Sequence, residues 1–150
     1  MKCALSGCNN TPTVLVGATA ALAATNQIAL DDANVYVVDA NPAGQGRVVG
    51  CAKSGCGSNP AELAIGLNAP TALVTDGVNV YWIERGVDSV DGQSVSGAGS
   101  VRRCAVGGCN NFPTTIASGL TAPTAIAVDA SHVYWAEWER RGRGPHKLGT

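Results

Sequence analysis

Apolar residues in this chain come in short runs that alternate with polar or small residues, and each run ends at Gly, Pro, Asn or Asp. GRVVG at 46–50, AELAIG at 61–66, ALVTD at 72–76 and VYWI at 80–83 read as four successive strands. SVRR at 100–103, PTTIASG at 113–119, AIAVD at 125–129 and VYWA at 133–136 repeat the four in the same order. No stretch keeps a helical period over the length a helix needs. The connections are short, with a Pro-containing turn at 69–71 and again at 122–124, so neighbouring strands are expected to pair antiparallel. The expected fold class is all-β.

The pattern is an internal repeat. Cys3/Cys8, Cys51/Cys56 and Cys104/Cys109 are three Cys-x4-Cys pairs whose first members lie 48 and then 53 positions apart. From the second cysteine of each pair to a tyrosine is 28, 25 and 25 positions. An aspartate stands 5 positions before each tyrosine: Asp31 before Tyr36, Asp76 before Tyr81 and Asp129 before Tyr134. A four-stranded unit of this size cannot bury both faces alone. It must stack on copies of itself, and radial stacking gives a β-propeller.

Composition agrees. Charged residues make up 14% of the chain, there are 19 glycines, and Ala, Val, Thr and Gly dominate, which suits short strands and tight turns. The formal net charge is −1, so no global field draws the chain to nucleic acid or an anionic membrane. An even number of cysteines in local pairs argues for disulfides and an oxidising compartment: extracellular, periplasmic or cell-surface. Closing so short a loop contributes about 2 kcal/mol per bridge. Zinc is the rival reading, but each pair supplies two of the four ligands a structural site needs. Val14 to Leu30 could pass for a signal h-region with an A-x-A site, but Asn26 and Gln27 interrupt it and it aligns with ordinary repeat sequence. The expectation is an exported chain without an export signal of its own and with no membrane span.

Asp-x4-Tyr-Trp followed by Gly-Ser-Val-x-x-Cys resembles the YWTD and NHL-like propeller repeats, in a cysteine-bearing form found in large secreted bacterial proteins. The resemblance covers residues 1 to about 138. It implies blades in which the VAVD-type segment is the innermost strand, VYW the second, GxVxxC the third, and the segment after the cysteines the outer strand. It also implies a ring of six blades. The first unit departs from it, with Val37 in the tryptophan position and three extra residues before Asp31.

In this phase the chain is about three blades' worth, two of them complete. A third-and-fourth-strand half blade spans 1–18, full blades span 27–66 and 70–118, and a first-and-second-strand half blade spans 122–138. Residues 139–150, with Glu139, Arg140, Arg141, Arg143 and Lys147, are expected to be a basic, disordered tail. Two expectations follow: the chain is a piece of a longer propeller, or two copies join head to tail into a six-bladed ring.

Several residues have chemistry to offer. Asp31, Asp76 and Asp129 either accept backbone N–H bonds in the turn or form a carboxylate ring able to hold a cation. Tyr36, Tyr81 and Tyr134, with Trp82 and Trp135, either pack between blades or offer a sugar-stacking surface. Trp138 is a candidate for exposure and binding. Gly86 to Ser100 is the longest connection, and Asp88 and Asp91 on it are candidate binding residues. His132 is a turn residue with no visible catalytic partner; G-x-S-x-G, phosphate-loop and His-rich metal motifs are missing. No cofactor and no metal are expected. The expected function is non-enzymatic: a secreted or surface scaffold presenting loops to a protein or glycan. The alternatives are a lyase or hydrolase working at one channel end, and a truncated gene remnant.

Overall fold

The computed structural model describes residues 1–17, 22, 24–41, 45–86, 97–137 and 148–149. Every regular element among them is a strand. β1 (Thr25–Leu30), β2 (Asn34–Asp39), β3 (Gly46–Ala52) and β4 (Ala61–Leu67) form one antiparallel sheet in sequence order. β5 (Pro70–Thr75), β6 (Asn79–Glu84), β7 (Gly99–Ala105) and β8 (Thr114–Leu120) form a second with the same order. β9 (Pro123–Val128), β10 (Val133–Glu137) and β11 (Leu148–Gly149) form a third. The expected all-β architecture of four-stranded antiparallel sheets is what the chain adopts. No helix among the described residues is long and apolar enough to cross a membrane.

The register repeats as well as the order. Tyr36 stands opposite Gly50 and Val35 opposite Cys51; Tyr81 stands opposite Arg103 and Val80 opposite Cys104. One end of the chain departs from the sequence pattern, which assigns residues 139–150 to a disordered tail. Leu148 pairs with Ala136 and Gly149 with Trp135, the register that Val48 and Val101 hold against Val38 and Ile83. The outer edge of β10 otherwise carries unpaired backbone groups, and a short strand satisfies them without needing the cysteine motif. Residues 138–147 and 150 lie outside the described residues.

The sheets pack back to front. Strand alternation divides each unit into a front and a rear face. The front of the first sheet offers Tyr36, Val38, Val48, Ala64 and Leu67, and the rear of the second meets it with Leu73, Val80 and Trp82. The next junction reuses the same positions. Ile83, Val101, Ala117 and Leu120 lie against Ile126, Val133 and Trp135. The first strands lie side by side, β5 between β1 and β9, and Gln27 Oε1 accepts the Leu73 N–H at 2.8 Å.

Val37 stands where the other units have tryptophan, and its neighbours explain the difference. Trp82 is fully buried against a complete sheet. Val37, on the rear of the first sheet, clusters with Leu15, Val16, Leu22 and Cys56 beside its own strand mates, among the described residues. Residues 1–17 form a small hairpin, Lys2 and Thr13 exchanging backbone hydrogen bonds at 2.8 and 2.9 Å. The hairpin lies against that rear face: Cys56 N–H donates to Leu15 O at 3.0 Å and Lys2 Nζ to Lys53 O at 2.7 Å.

All three Cys-x4-Cys pairs are disulfides, with Cα–Cα distances of 5.4, 5.5 and 5.4 Å, so the cysteines are not zinc ligands. Each closes over a turn in which Gly7, Gly55 or Gly108 donates to the carbonyl of Ala4, Ala52 or Ala105. These glycines have φ of +106°, +111° and +100°, a region closed to side chains with a Cβ. Each inner bridge also touches the unit before it. The sulfurs of Cys104 and Cys109 lie 3.7 and 3.4 Å from Leu63 O, and those of Cys51 and Cys56 lie 3.5 and 3.6 Å from Leu15 O.

A second lock is steric. A Cβ on Gly46 would collide with the ring of Pro70 and with Leu67 O, and one on Gly99 with Pro123 and Leu120 O. Pro70 and Pro123 are themselves fully buried. The Gly of the Gly-x-Val-x-x-Cys motif is therefore the seat on which the next unit begins. Gly46→Ala and Gly99→Ala are each expected to cost about 1–3 kcal/mol in urea unfolding. Gly107→Ala, where an added Cβ meets nothing within 4 Å, is expected to leave the midpoint unchanged.

Candidate functional site

The residues with the most chemistry gather at the turns between the first and second strands of each unit. These turns are built alike. Asp31, Asp76 and Asp129 donate their backbone N–H to the carbonyls of Asn34, Asn79 and His132 at 3.2, 3.3 and 3.0 Å. One carboxylate oxygen of each takes two backbone N–H bonds: from Ala33 and Asn34 at 2.8 and 2.6 Å, from Val78 and Asn79 at 2.8 and 2.6 Å, and from Ser131 and His132 at 2.7 and 2.8 Å. The other oxygen accepts the phenol of Tyr36, Tyr81 or Tyr134 at 2.6, 2.7 and 2.6 Å. The five-residue spacing follows from this geometry. The turn brings the chain back so that the second strand's third residue reaches the acid that opened it.

The bonds set the protonation states. The Tyr36 hydroxyl, assisted by two backbone N–H groups and Asn34, outweighs burial and holds the Asp31 carboxyl down to about 2. Burial and the facing Asp31 carboxylate push the Tyr36 phenol up to about 12. For Asp76, burial alone would raise the pKa, but the bonds from Asn79, Tyr81 and Val78 lower it. Asp129 is held low first by Tyr134 and then by Ser131 and His132. The carboxylates are thus anions with both oxygens already engaged in the turn. Among the described residues, no group of three or more His, Cys, Asp or Glu is arranged to hold a metal ion.

A second set of acids recurs three residues after each tyrosine and was not singled out from the sequence: Asp39, Glu84 and Glu137. They lie at the far end of the second strand, and Asp39 and Glu84 are buried. Asp39 accepts the Ala24 N–H at 2.9 Å, Glu84 that of Asn68 at 3.1 Å, and Glu137 that of Thr121 at 2.8 Å. Each thus satisfies the chain just ahead of a first strand. Glu84 and Glu137 also accept the indole N–H of Trp82 and Trp135 at 3.3 and 3.2 Å. Where Val37 replaces the indole, Arg47 Nε donates to Asp39 at 3.2 Å. Arg102 Nε stands 3.3 Å from Glu84. Trp82 and Trp135 are therefore tied on both sides, by packing and by an acid.

His132 has a hydroxyl and a carboxylate nearby. Ser131 Oγ lies 2.7 Å from His132 Nδ1 and donates to Asp129 Oδ1 at 3.1 Å. Asp129 Oδ1 is 3.8 Å from the same nitrogen. A nucleophile–base–acid relay needs the hydroxyl on one ring nitrogen and the acid on the other. Here both stand at Nδ1, and Asp129 is already committed to the turn. Asp88, Asp91 and Trp138 lie outside the described residues.

Clefts open between the sheets: one of about 530 Å3 lies at the turns of Asp31 and Asp76, and two more lie at equivalent positions of successive units. Of these two, one of about 190 Å3 is bordered by Tyr36, Gly50, Leu63 and Val106. The other, of about 330 Å3, is bordered by Tyr81, Arg103, Ile116, His132 and Trp135. Tyr36, Gly50 and Leu63 occupy the positions in the first unit that Tyr81, Arg103 and Ile116 occupy in the second.

The acid–tyrosine pair has a pH signature. The depressed Asp31 pKa stabilises the fold above the ordinary value of 3.8, and this is lost as pH falls toward about 2. The raised Tyr36 pKa stabilises it below 10.0, and this is lost as pH rises toward about 12. The melting temperature is expected to fall across both windows. Tyr36→Phe is expected to cost about 0.5–1.5 kcal/mol at neutral pH, because the half-buried carboxylate loses its phenol donor. It should also flatten the alkaline limb.

A scan against protein-family models gives no match to this chain, and a search of curated proteins gives none. The fold and the role of each recurring residue rest on the geometry itself.

Proposed function

We propose that the chain is a run of consecutive β-propeller blades, of the kind its repeat resembles, acting as an exported scaffold that binds a protein or glycan through its loops. The observation that carries the reading is the reuse of the same positions at both junctions. Val38, Val48, Ala64 and Leu67 meet Leu73, Val80 and Trp82, and Ile83, Val101, Ala117 and Leu120 meet Ile126, Val133 and Trp135. Back-to-front stacking with the first strands side by side is the packing of propeller blades. Three bridges clamping such small units suit an oxidising compartment.

The binding role follows from where the units differ. The acid–tyrosine turns, the acids after the tyrosines and the tryptophans are all engaged in holding the units together. The connection between second and third strands is not held constant: it spans residues 40–45 in the first unit and 85–98 in the second. A long connection on a rigid support is where recognition residues gather. Asp88 and Asp91 fall within it.

The test is a transplant. Residues 85–98 are replaced by residues 40–45, and both chains are screened on glycan arrays and a panel of extracellular proteins. The variant is expected to keep the wild-type melting temperature and to lose about tenfold or more in affinity for whatever the wild type binds. Undiminished binding by the short-loop chain would remove this loop from the proposal.

A further inference from the structure

Of the two equivalent clefts, the first is lined in part by a side chain of the next unit's disulfide turn; among the described residues, no such turn lines the second. Val106, two residues after Cys104, lies at the first cleft beside Tyr36 and Leu63. The bridge of Cys104 and Cys109 lies over Leu63 O, and Asn111 Oδ1 accepts the Ile65 N–H at 2.8 Å. Three features of one disulfide turn therefore seat it on the fourth strand of the sheet before: an apolar side chain at the cleft, a bridge over a carbonyl and an asparagine on an N–H. Leu63 is 3% exposed beneath it.

Among the described residues, no disulfide turn covers the same seat on the second sheet. Ile116 takes the position of Leu63 and is 40% exposed. Ser118 takes the position of Ile65. The cleft beside Ile116 is the larger of the two.

The chain also carries a second turn of the seating kind. In the turn of Cys3 and Cys8, Leu5 stands two residues after the first cysteine and Asn10 two after the second, matching Val106 and Asn111. The turn of Cys51 and Cys56 has Lys53 and Ser58 at those positions, and it faces the N-terminal hairpin. Asn9 and Asn10 share the left-handed conformation of Asn110 and Asn111, with φ of 48° and 60° against 52° and 62°. Leu5 is 110% exposed, the most exposed large apolar side chain among the described residues.

We propose that the Cys3–Cys8 turn of one chain docks on the β8 seat of a second copy, with Leu5 in the cleft beside Tyr81 and Ile116, the disulfide over Ile116 O, and Asn10 accepting the Ser118 N–H. The contact continues an interface that this chain already makes internally. The turn and its seat are different surfaces, and two such contacts about a two-fold axis close the pair. It rests on the packing between sheets and not on the outside partner proposed above.

The test uses sedimentation of the full chain. Wild type is expected as a two-chain species. Leu5→Glu and Ile116→Arg each alter an exposed side chain, so each is expected to keep the wild-type melting temperature and sediment as one chain. Mixed in equal amounts they re-form the two-chain species, because the Leu5→Glu chain keeps its seat and the Ile116→Arg chain keeps its turn. A wild type that stays single at its highest soluble concentration, a variant that still pairs, or a mixture no larger than its components overturns the proposal.

Discussion

Each sheet in this protein is apolar on both faces, and no sheet can stand without a neighbour. Trp82 shows the constraint most plainly. Its indole is fully buried, but the sheet that buries it belongs to another unit. About 25 cal/mol per Å2 of apolar surface rests on each such junction, so the junctions matter as much to the fold as the strand pairing does. The rest of the design serves this contact. Gly46 and Gly99 clear the space in which Pro70 and Pro123 begin the next unit. Val37 appears where the covering element is a small hairpin and an indole would find nothing to fill.

The polar residues are placed so that burial costs little. A carboxylate removed from water is expensive unless it is bonded. Asp39 and Glu84, which are buried, each accept a backbone N–H. Asp31, Asp76 and Asp129, which keep contact with water, take backbone donors on one oxygen and a phenol on the other. Asp39, Glu84 and Glu137 do the corresponding work at the other end of the same strand, linking the second strand to the chain that leads into the first. Each second strand is thus anchored by an acid at either end. The strand between them carries the tyrosine and, in the second and third units, the tryptophan on its opposite face.

Much of this was legible in the residues. Alternation and turn residues located the strands, and the cysteine spacing located the bridges, because both signals are local. The acid–tyrosine spacing was equally regular, but two roles, turn acceptor or cation ligand, fit it until the phenol bonds were seen. Asp39, Glu84 and Glu137 were as periodic as the other acids and went unnoticed. A charge at a strand end reads as solvated, and only the neighbouring chain segment reveals its backbone partner. The face served by each aromatic was hidden for a similar reason: alternation says that Tyr81 and Trp82 diverge, not which unit each meets. Leu148 and Gly149 gave no strand signal because their pairing is imposed by the open edge of β10. Leu5 drew no attention because a lone exposed leucine is ordinary until a matching seat is found.

The sulfur contacts with Leu15 O and Leu63 O give the bridges a second consequence. A disulfide buried at a junction is shielded by the unit it touches: Cys104 is 2% exposed and Cys51 is 4%, while Cys3 lies open to solvent. A thiol reductant therefore meets the three bridges in unequal states of protection. In a single chain the outermost is open to direct attack, whereas the inner two offer a reductant only their half-buried second sulfurs, Cys56 and Cys109. Resistance to reduction at the interior cysteines is a property of the stack and not of any single turn, and it reports whether adjoining units are in place.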